Sequence, residues 1–157
     1  MVDAESLDLL YMQYALNVAN NAMHSSEVPV GAVIVHNSSI VATGANRTNE
    51  TKNATRHAEL EAIDTILCTY PSIKFSECDL YVTLEPCIMC ADALRRLNFH
   101  SVIFGAWNDK FGGCGSVLNI LDNARGGLLK DEAIELLREF YSTGNANCPT
   151  EKRKRAI

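Results

Sequence analysis

The spacing of apolar residues along the chain predicts the first elements of the fold. Residues 5–24 carry apolar side chains at intervals of three and four, which is typical of an amphipathic helix. The apolar positions of this predicted helix are Leu7, Leu10, Tyr14, Ala15 and Val18. Apolar runs at 30–36 and 39–46 then predict two strands, and the turn residues Asn37 and Ser38 between them predict a tight hairpin.

The remainder of the chain alternates helical and extended patterns after a polar loop. A second helix is predicted to begin near His57, and further helices are predicted at 87–98 and 131–141. Strands are predicted at 79–84 and 101–106. The apolar positions of the second helix are Ala58, Ala62, Ile63, Ile66 and Leu67. This order predicts an α/β fold in which helices cover both faces of a mixed sheet, a three-layer α/β/α sandwich.

Length and composition fit one folded domain. The chain has 157 residues, of which 47% are hydrophobic and 21% charged, so a disordered, collagen-like or disulfide-stapled chain is excluded. We assign residues 1–149 to the domain and 150–157 to a basic tail. No apolar run reaches the roughly 18 residues that span a bilayer, and the amino terminus is acidic. We therefore expect a soluble intracellular protein with reduced cysteines and no membrane partner.

The charge of the chain is unevenly distributed. The net charge is −5, from 14 Lys and Arg against 19 Asp and Glu. The last eight residues carry +3, which leaves −8 on the rest of the chain. Any site for a polyanion such as a nucleic acid is therefore expected to be local.

Two short motifs have the composition of a metal site. The first is His57-Ala58-Glu59, and the second is the run P-C-I-M-C at 86–90, which contributes Cys87 and Cys90. Two cysteines at this spacing can grip one zinc ion from the first turn of a helix, where the helix dipole favours thiolates. Three ligands leave one tetrahedral position for water, which is typical of a catalytic zinc. Glu59 could take a proton from that water.

Other interpretations of these motifs remain open. The Cys-x-x-Cys pair alone could be a redox pair or half of a structural zinc site, and His-Ala-Glu alone is a common tripeptide. A structural site would need a fourth ligand. The candidates are His24, His36, His100, Cys68, Cys78, Cys114 and Cys148.

The combination of H-x-E with P-C-x-x-C resembles the zinc-dependent nucleobase deaminases, within the cytidine/deoxycytidylate deaminase superfamily. More narrowly, the stretches at 27–33, 55–59 and 80–90 resemble tRNA adenosine deaminases. The stretches TKNATRHAE (51–59) and FGGCGSVLNI (111–120) resemble the catalytic subunits of the eukaryotic heterodimeric enzymes that convert the wobble adenosine of tRNA to inosine. A related, catalytically inactive subunit lacks the shuttle carboxylate, whereas this chain has Glu59.

The resemblance implies a cytidine-deaminase-like fold and assigns roles to residues. His57, Cys87 and Cys90 would bind Zn²⁺, and Glu59 would carry protons from the attacking water to N1 and to the leaving ammonia. Asn46 would contact the purine through its amide, an interpretation that we favour over an ordinary residue of a strand-ending turn. Main-chain groups near Val30 and Ala58 would line the pocket, with Val30 packing on the ring.

The resemblance also implies a tRNA substrate and a homologous, non-catalytic partner subunit. Because the rest of the chain is acidic, we expect the tail to contact tRNA phosphates through Lys152, Arg153, Lys154 and Arg155. The same run could be a nuclear localisation signal, and we expect the protein in nucleus and cytoplasm. Residues that could contact the partner, or equally form core, are Ile88, Met89, Ala91, Ala93 and Leu94.

The sequence departs from the family at residues 122–129, where a longer loop and strand are usual. Two explanations remain open: the sheet lacks a strand at that edge, or the chain is a truncated isoform. Two alternative functions share the same motifs: deamination of a free base or nucleoside, such as cytosine or guanine, and a zinc-stabilised scaffold without turnover.

Overall fold

The computed structural model describes residues 3–143. Its elements, in chain order, are α1 (Ala4–His24), β1 (Gly31–His36), β2 (Ser39–Ala45), α2 (Thr48–Thr51), α3 (Ala58–Thr69), β3 (Cys78–Leu84), α4 (Ile88–Leu97), β4 (Ser101–Ala106), β5 (Ala124–Arg125) and α5 (Lys130–Thr143). A 3-10 turn at Phe75–Glu77 leads into β3. The basic tail at 150–157 lies outside the described residues. Over residues 3–143, every helix is too short or too polar to cross a membrane.

The strands form one mixed sheet in the order β2-β1-β3-β4-β5. β1 is antiparallel to both β2 and β3, whereas β3, β4 and β5 are mutually parallel. The predicted hairpin is present, and its two connecting residues, Asn37 and Ser38, have φ angles of 49° and 58°. Two consecutive positive φ angles produce the turn whose twist matches that of the flanking strands, and asparagine tolerates this conformation well.

Successive side chains of the strands point to opposite faces of the sheet, so the alternation divides the core into two layers. Those facing α3 and α4 include Ala32, Ile34, Leu80, Val82, Val102 and Phe104. Those facing α1 include Val33, Val35, Tyr81 and Ile103. α5 packs against β4 on the same side as α1. The predicted three-layer α/β/α sandwich is therefore confirmed.

The buried face of α1 differs from the one that the sequence predicted. Leu10 and Tyr14 are 49% and 47% exposed, and of the predicted stripe only Ala15 is fully buried. The residues that pack inward are Tyr11, Met12, Ala15, Leu16, Ala19 and Ala22. α1 lies so close to β1 that a Cβ atom on Gly31 would be 2.2 Å from the Ala15 carbonyl oxygen. The close approach explains the small residues Ala15, Ala19 and Ala22, whereas the large residues Tyr11, Met12 and Leu16 show that the predicted stripe was rotated about the helix axis.

Three local features depart from the predictions. The loop at 47–56 contains a helical turn, α2, and Leu67, a predicted core position of α3, is 53% exposed. Beyond β4, where the sequence suggested a missing strand, a strand of only two residues, β5, is present and pairs with Val102 and Ile103. The sheet thus keeps a fifth strand in minimal form.

Candidate metal centre and active site

The site lies at one end of the central strands. Because β1 runs antiparallel to both of its neighbours, its first residues pair with the last residues of β2 and β3, as in the pairs Gly31 with Ala45 and Ala32 with Val82. Asn46 directly follows β2, and the segment that carries Cys87 follows β3. This is the end of the sheet at which α/β proteins usually bind ligands.

Three predicted ligands meet at this end. His57 is the N-cap residue of α3, Cys87 is the N-cap residue of α4, and Cys90 lies in the first turn of α4. The His57 Nδ1 atom is 3.5 Å from the Cys87 Sγ atom and 3.6 Å from the Cys90 Sγ atom. A tetrahedral zinc with bonds of about 2.0–2.1 Å to nitrogen and about 2.3 Å to sulfur separates such atoms by about 3.6 Å. The residues therefore fit a zinc ion.

The cluster has three potential ligands and not four. Over residues 3–143, no further His, Cys, Asp or Glu side chain joins His57, Cys87 and Cys90. Of the residues considered as a fourth ligand, only Cys148 lies outside the described chain. A three-ligand set leaves a coordination position for solvent or substrate, which favours a catalytic over a structural site.

The electrostatic environment favours a thiolate at the cluster. Hydrogen bonds from Cys90 and from His57 lower the pKa of Cys87 to about 4, although burial opposes them. The pKa of His57 is raised, chiefly by its hydrogen bond to Cys87. The pKa of Cys90 is raised by the neighbouring Cys87 sulfur and by burial. A divalent cation would hold all three groups deprotonated, since metal coordination competes with protonation.

Glu59 lies beside the cluster in the first turn of α3. Its side chain is only 3% exposed and interacts with the Cys90 thiol. Burial raises the pKa of the Glu59 carboxyl to about 7. A carboxyl group whose pKa lies near neutrality can both accept and donate a proton at physiological pH, as a proton carrier must.

The side-chain oxygen of Asn46 is hydrogen-bonded within the protein, whereas its NH₂ group is available. Its Oδ1 atom accepts a hydrogen bond of 3.0 Å from the Ala58 N–H group, and its main-chain N–H donates to Val30. Within residues 3–143 its Nδ2 group has no hydrogen-bond partner. The structure therefore brings together all three predicted substrate-contact residues. The Ala58 N–H group is already bonded to Asn46, so it is not available to a ligand. The Asn46 Nδ2 group remains as a donor for a ligand.

Two buried carboxylates near the site were not among the predicted functional residues. Glu27, 3% exposed, accepts hydrogen bonds from the N–H groups of Asn49 and Glu50 and so caps α2 just after Asn46. Glu85 directly precedes Pro86 and is equally enclosed. Each is an acidic residue at the edge of an apolar run, which is the only signal the sequence offers for them.

The residues proposed to contact a partner differ in burial, and Ala93 is half-buried. Ala91 and Leu94 are fully buried in the core, as the alternative interpretation held. Ile88 and Met89 are 36% and 37% exposed at the start of α4, beside the metal ligands. The nearby 107–118 segment also exposes large apolar side chains, namely Trp107, Phe111, Val117 and Leu118.

Comparisons with known proteins agree with this geometry. The profile of the cytidine and deoxycytidylate deaminase zinc-binding region matches residues 5–106. A protein of Xenopus tropicalis, tRNA-specific adenosine deaminase 2, is 46% identical over 158 residues, which cover 90% of this chain and 93% of that protein.

Solved structures show the same fold. One, from studies of A-to-I editing by tRNA:A34 deaminases at the wobble position of transfer RNA, gives a TM-score of 0.78 at 33% identity and covers 82% of this chain and 99% of the other. A guanine deaminase from Bacillus subtilis gives a TM-score of 0.60 at 28% identity and covers 68% of this chain and 66% of the other. The similarity thus extends to enzymes that act on RNA and to enzymes that act on free bases.

Proposed function

We propose that this chain, which belongs to the cytidine and deoxycytidylate deaminase zinc-binding family, hydrolyses adenosine to inosine at the wobble position of tRNA anticodons. The observation that carries the proposal is the three-ligand cluster of His57, Cys87 and Cys90 with the buried Glu59 beside it. The relative at 46% identity, named for tRNA-specific adenosine deamination, supports adenosine in tRNA as the substrate.

His57, Cys87 and Cys90 would hold the zinc ion. When bound, zinc supplies Lewis acidity, which lowers the pKa of a water molecule and makes it nucleophilic at neutral pH. The two sulfurs and the imidazole are held at the starts of two helices, so that the ligands are positioned by the fold before any metal arrives. Cys87 is already disposed to be a thiolate.

Glu59 would move the protons of the reaction. It takes one proton from the attacking water and delivers it to N1 of the adenine ring as C6 is attacked. It then takes the proton of the new C6 hydroxyl group and passes it to the amino group, which leaves as ammonia when the C6–N bond breaks and the C6 carbonyl forms. Its pKa of about 7 suits both directions of transfer. Its burial excludes bulk water, so the carboxyl exchanges protons with the substrate and not with solvent.

Asn46 would orient the base. Because its Oδ1 atom is occupied by the Ala58 N–H group, the Nδ2 group is the donor that would meet an acceptor atom of the purine. Main-chain groups near Val30 and Ala58, both buried, would line the pocket, and Val30 would pack on the ring.

The tRNA itself would be held partly by the basic tail. Deamination requires the base outside the stack, and an anticodon loop offers a base that is already single-stranded. Since residues outside the tail carry −8, the tail run Lys152 to Arg155 would supply phosphate contacts. The same basic run supports nuclear import, so that the protein would be found in nucleus and cytoplasm.

A homologous, non-catalytic deaminase subunit would complete the enzyme as a heterodimer. Ile88 and Met89 are exposed beside the metal ligands, and Trp107 and Phe111 are exposed in the 107–118 segment, where a partner could cover them. The acidic charge of this chain gives the partner a second role, that of supplying cationic contacts to the RNA.

One experiment tests the substrate directly. Purified chain, alone and with its co-purifying partner, is incubated with tRNA bearing A34, and the product is sequenced for A read as G. Free adenosine, cytosine and guanine are assayed in parallel. Inosine at position 34 supports the proposal, whereas turnover of a free base without tRNA editing contradicts it.

A variant lacking residues 150–157 should edit tRNA more weakly, and unchanged editing would contradict the role of the tail.

A further inference from the structure

Glu85, which the proposed chemistry does not use, is the least exposed acidic side chain among residues 3–143, at 1%. It follows β3 and stands two residues before the ligand Cys87. A carboxylate is costly to bury unless hydrogen bonds replace its hydration. Its position and burial therefore call for partners that satisfy it.

Every hydrogen bond donor to the Glu85 carboxylate comes from one segment, residues 108–116. The Oε1 atom accepts the N–H groups of Cys114, at 3.0 Å, and Ser116, at 3.1 Å. The Oε2 atom accepts the N–H group of Asn108, at 2.9 Å, and the hydroxyl of Ser116. The segment is irregular, and a single carboxylate thus accepts three main-chain hydrogen bonds that a helix or sheet would otherwise satisfy.

The same segment passes directly over the carboxylate. A Cβ atom on Gly112 would lie 2.5 Å from the carboxylate carbon and from both oxygens of Glu85, so only glycine allows this approach. Gly112 also pairs with Cys87 as an isolated antiparallel bridge. The contact with Glu85 therefore fixes the part of the segment that touches the metal ligand.

The segment holds the main chain on both sides of Cys87. The Ile88 N–H group donates to the Phe111 carbonyl at 2.8 Å, and the Gly113 N–H group donates to the Pro86 carbonyl at 2.9 Å. These two bonds immobilise the residues before and after Cys87. The position of its Sγ atom therefore depends on a segment whose own shape depends on Glu85.

We propose that Glu85 is a positioning residue for the metal centre: its carboxylate folds residues 108–116 into the support that fixes Cys87. The inference rests on the metal site of the proposed function, but it concerns the geometry of that site and not the identity of the substrate. Metal binding can therefore test it without any RNA.

The test compares Glu85→Gln with the wild-type full-length chain. Glutamine has the same shape, but one of its two terminal groups is an NH₂ donor. In one orientation this NH₂ group would face the Asn108 N–H group, and in the other it would face the N–H groups of Cys114 and Ser116. Either orientation places one donor against another. We expect zinc to be released to a chromogenic chelator about tenfold faster or more, as for other residues that hold ligands in place. In the cobalt-substituted protein, the sulfur-to-metal and d–d absorption bands should shift.

Asp79→Asn is the matched control, because Asp79 is a carboxylate at the other end of β3 that binds His100 and Ser101. It should leave zinc release and the cobalt spectrum unchanged, even if both variants lower the melting temperature. If Glu85 had a merely structural role, Glu85→Gln and Asp79→Asn would show the same zinc release and the same cobalt spectrum. Wild-type release and an unshifted cobalt spectrum in folded Glu85→Gln would overturn the proposal.

A second variant decides the matter if Glu85→Gln does not fold. Ser116→Ala removes only the hydroxyl donor and leaves the three main-chain bonds. It should speed zinc release by a smaller factor and shift the cobalt bands in the same direction, and the absence of both effects would contradict the proposal. Since neither measurement uses tRNA, a failure to detect inosine would leave the result intact.

Discussion

The two ends of the central strands carry the same kinds of residues and differ in what those residues can do. At the site end lie His57, Glu59, Cys87 and Cys90. At the opposite end lie His36, Glu77, Cys78, Asp79 and His100. Histidine, cysteine and carboxylate are present at both ends, yet among the described residues only the first set forms a metal-binding cluster.

The difference arises from how the groups are paired and where they are buried. At the opposite end His36 meets Glu77 at 3.5 Å and His100 meets Asp79 at 2.8 Å, in two separate, partly exposed pairs. Burial there, together with the neighbouring carboxylates of Asp79 and Glu77, raises the pKa of Cys78 to about 11. At the site end, bonds from Cys90 and His57 lower the pKa of Cys87 to about 4. Convergence of the side chains, and not composition, creates the site.

The largest effect that separates the two ends should come from removing a ligand. Cys90→Ser should abolish stoichiometric zinc binding, because serine is a poor ligand for zinc in this setting and two remaining ligands hold the ion weakly. Metal analysis of the purified protein measures the zinc content per chain. Cys78→Ser, at the opposite end, should keep full zinc content. Zinc loss in that variant would show that the two ends are not independent.

The next largest effect should come from the two glutamates. Glu59→Gln should lower kcat by about 100-fold or more, since general acid–base groups contribute factors of this size, while zinc content stays at the wild-type level. Glu77→Gln, at the exposed end, should leave kcat unchanged. Retained turnover in Glu59→Gln would favour the scaffold interpretation, in which the carboxyl has no chemical role.

A smaller effect should come from Asn46. Asn46→Asp keeps an oxygen to accept the Ala58 N–H group but removes the Nδ2 donor, so the fold should persist while substrate binding weakens. The loss of one hydrogen bond is expected to lower kcat/KM by about tenfold. Asn17→Asp, on the exposed face of α1, adds the same charge without that loss. Equal kinetics in the two variants would exclude Asn46 from substrate contact.

The smallest effect should come from the exposed pair at the opposite end. His100→Gln removes the ion-pair partner of Asp79. The His100 side chain is 69% exposed. Exposed pairs contribute about 0–1 kcal/mol, so the melting temperature should fall by a few degrees at most. Thermal unfolding measures this shift. A large loss of stability or of zinc would mean that this end of the sheet supports the site after all.

Much of the fold and the ligand set could be predicted from local sequence. Periodicity located α1, α3, α4 and the hairpin, because each pattern repeats within a few residues. The cluster could be predicted because Cys87 and Cys90 are close in the chain and His57 begins a helix. The buried stripe of α1 could not be predicted in this way. It depends on how closely Ala15 approaches Gly31, which is a contact between separate elements.

The residues that support the site show where prediction from sequence stopped. Glu27 and Glu85 are acidic residues that the sequence alone would place on the surface. Their burial becomes favourable only because main-chain N–H groups from distant segments converge on them. Nothing within a few residues of either glutamate signals those donors.

By itself the sequence determined most of the helices and strands, the three side chains that can bind a metal and the carboxyl that accompanies them, because these are encoded in periodicity and in short motifs at helix starts. Only the tertiary structure decided which faces are buried, which half of the Asn46 amide is free, and that Glu85 underlies the metal ligand. Those outcomes depend on contacts between residues far apart in the chain, where packing and the need to satisfy buried polar groups select one arrangement.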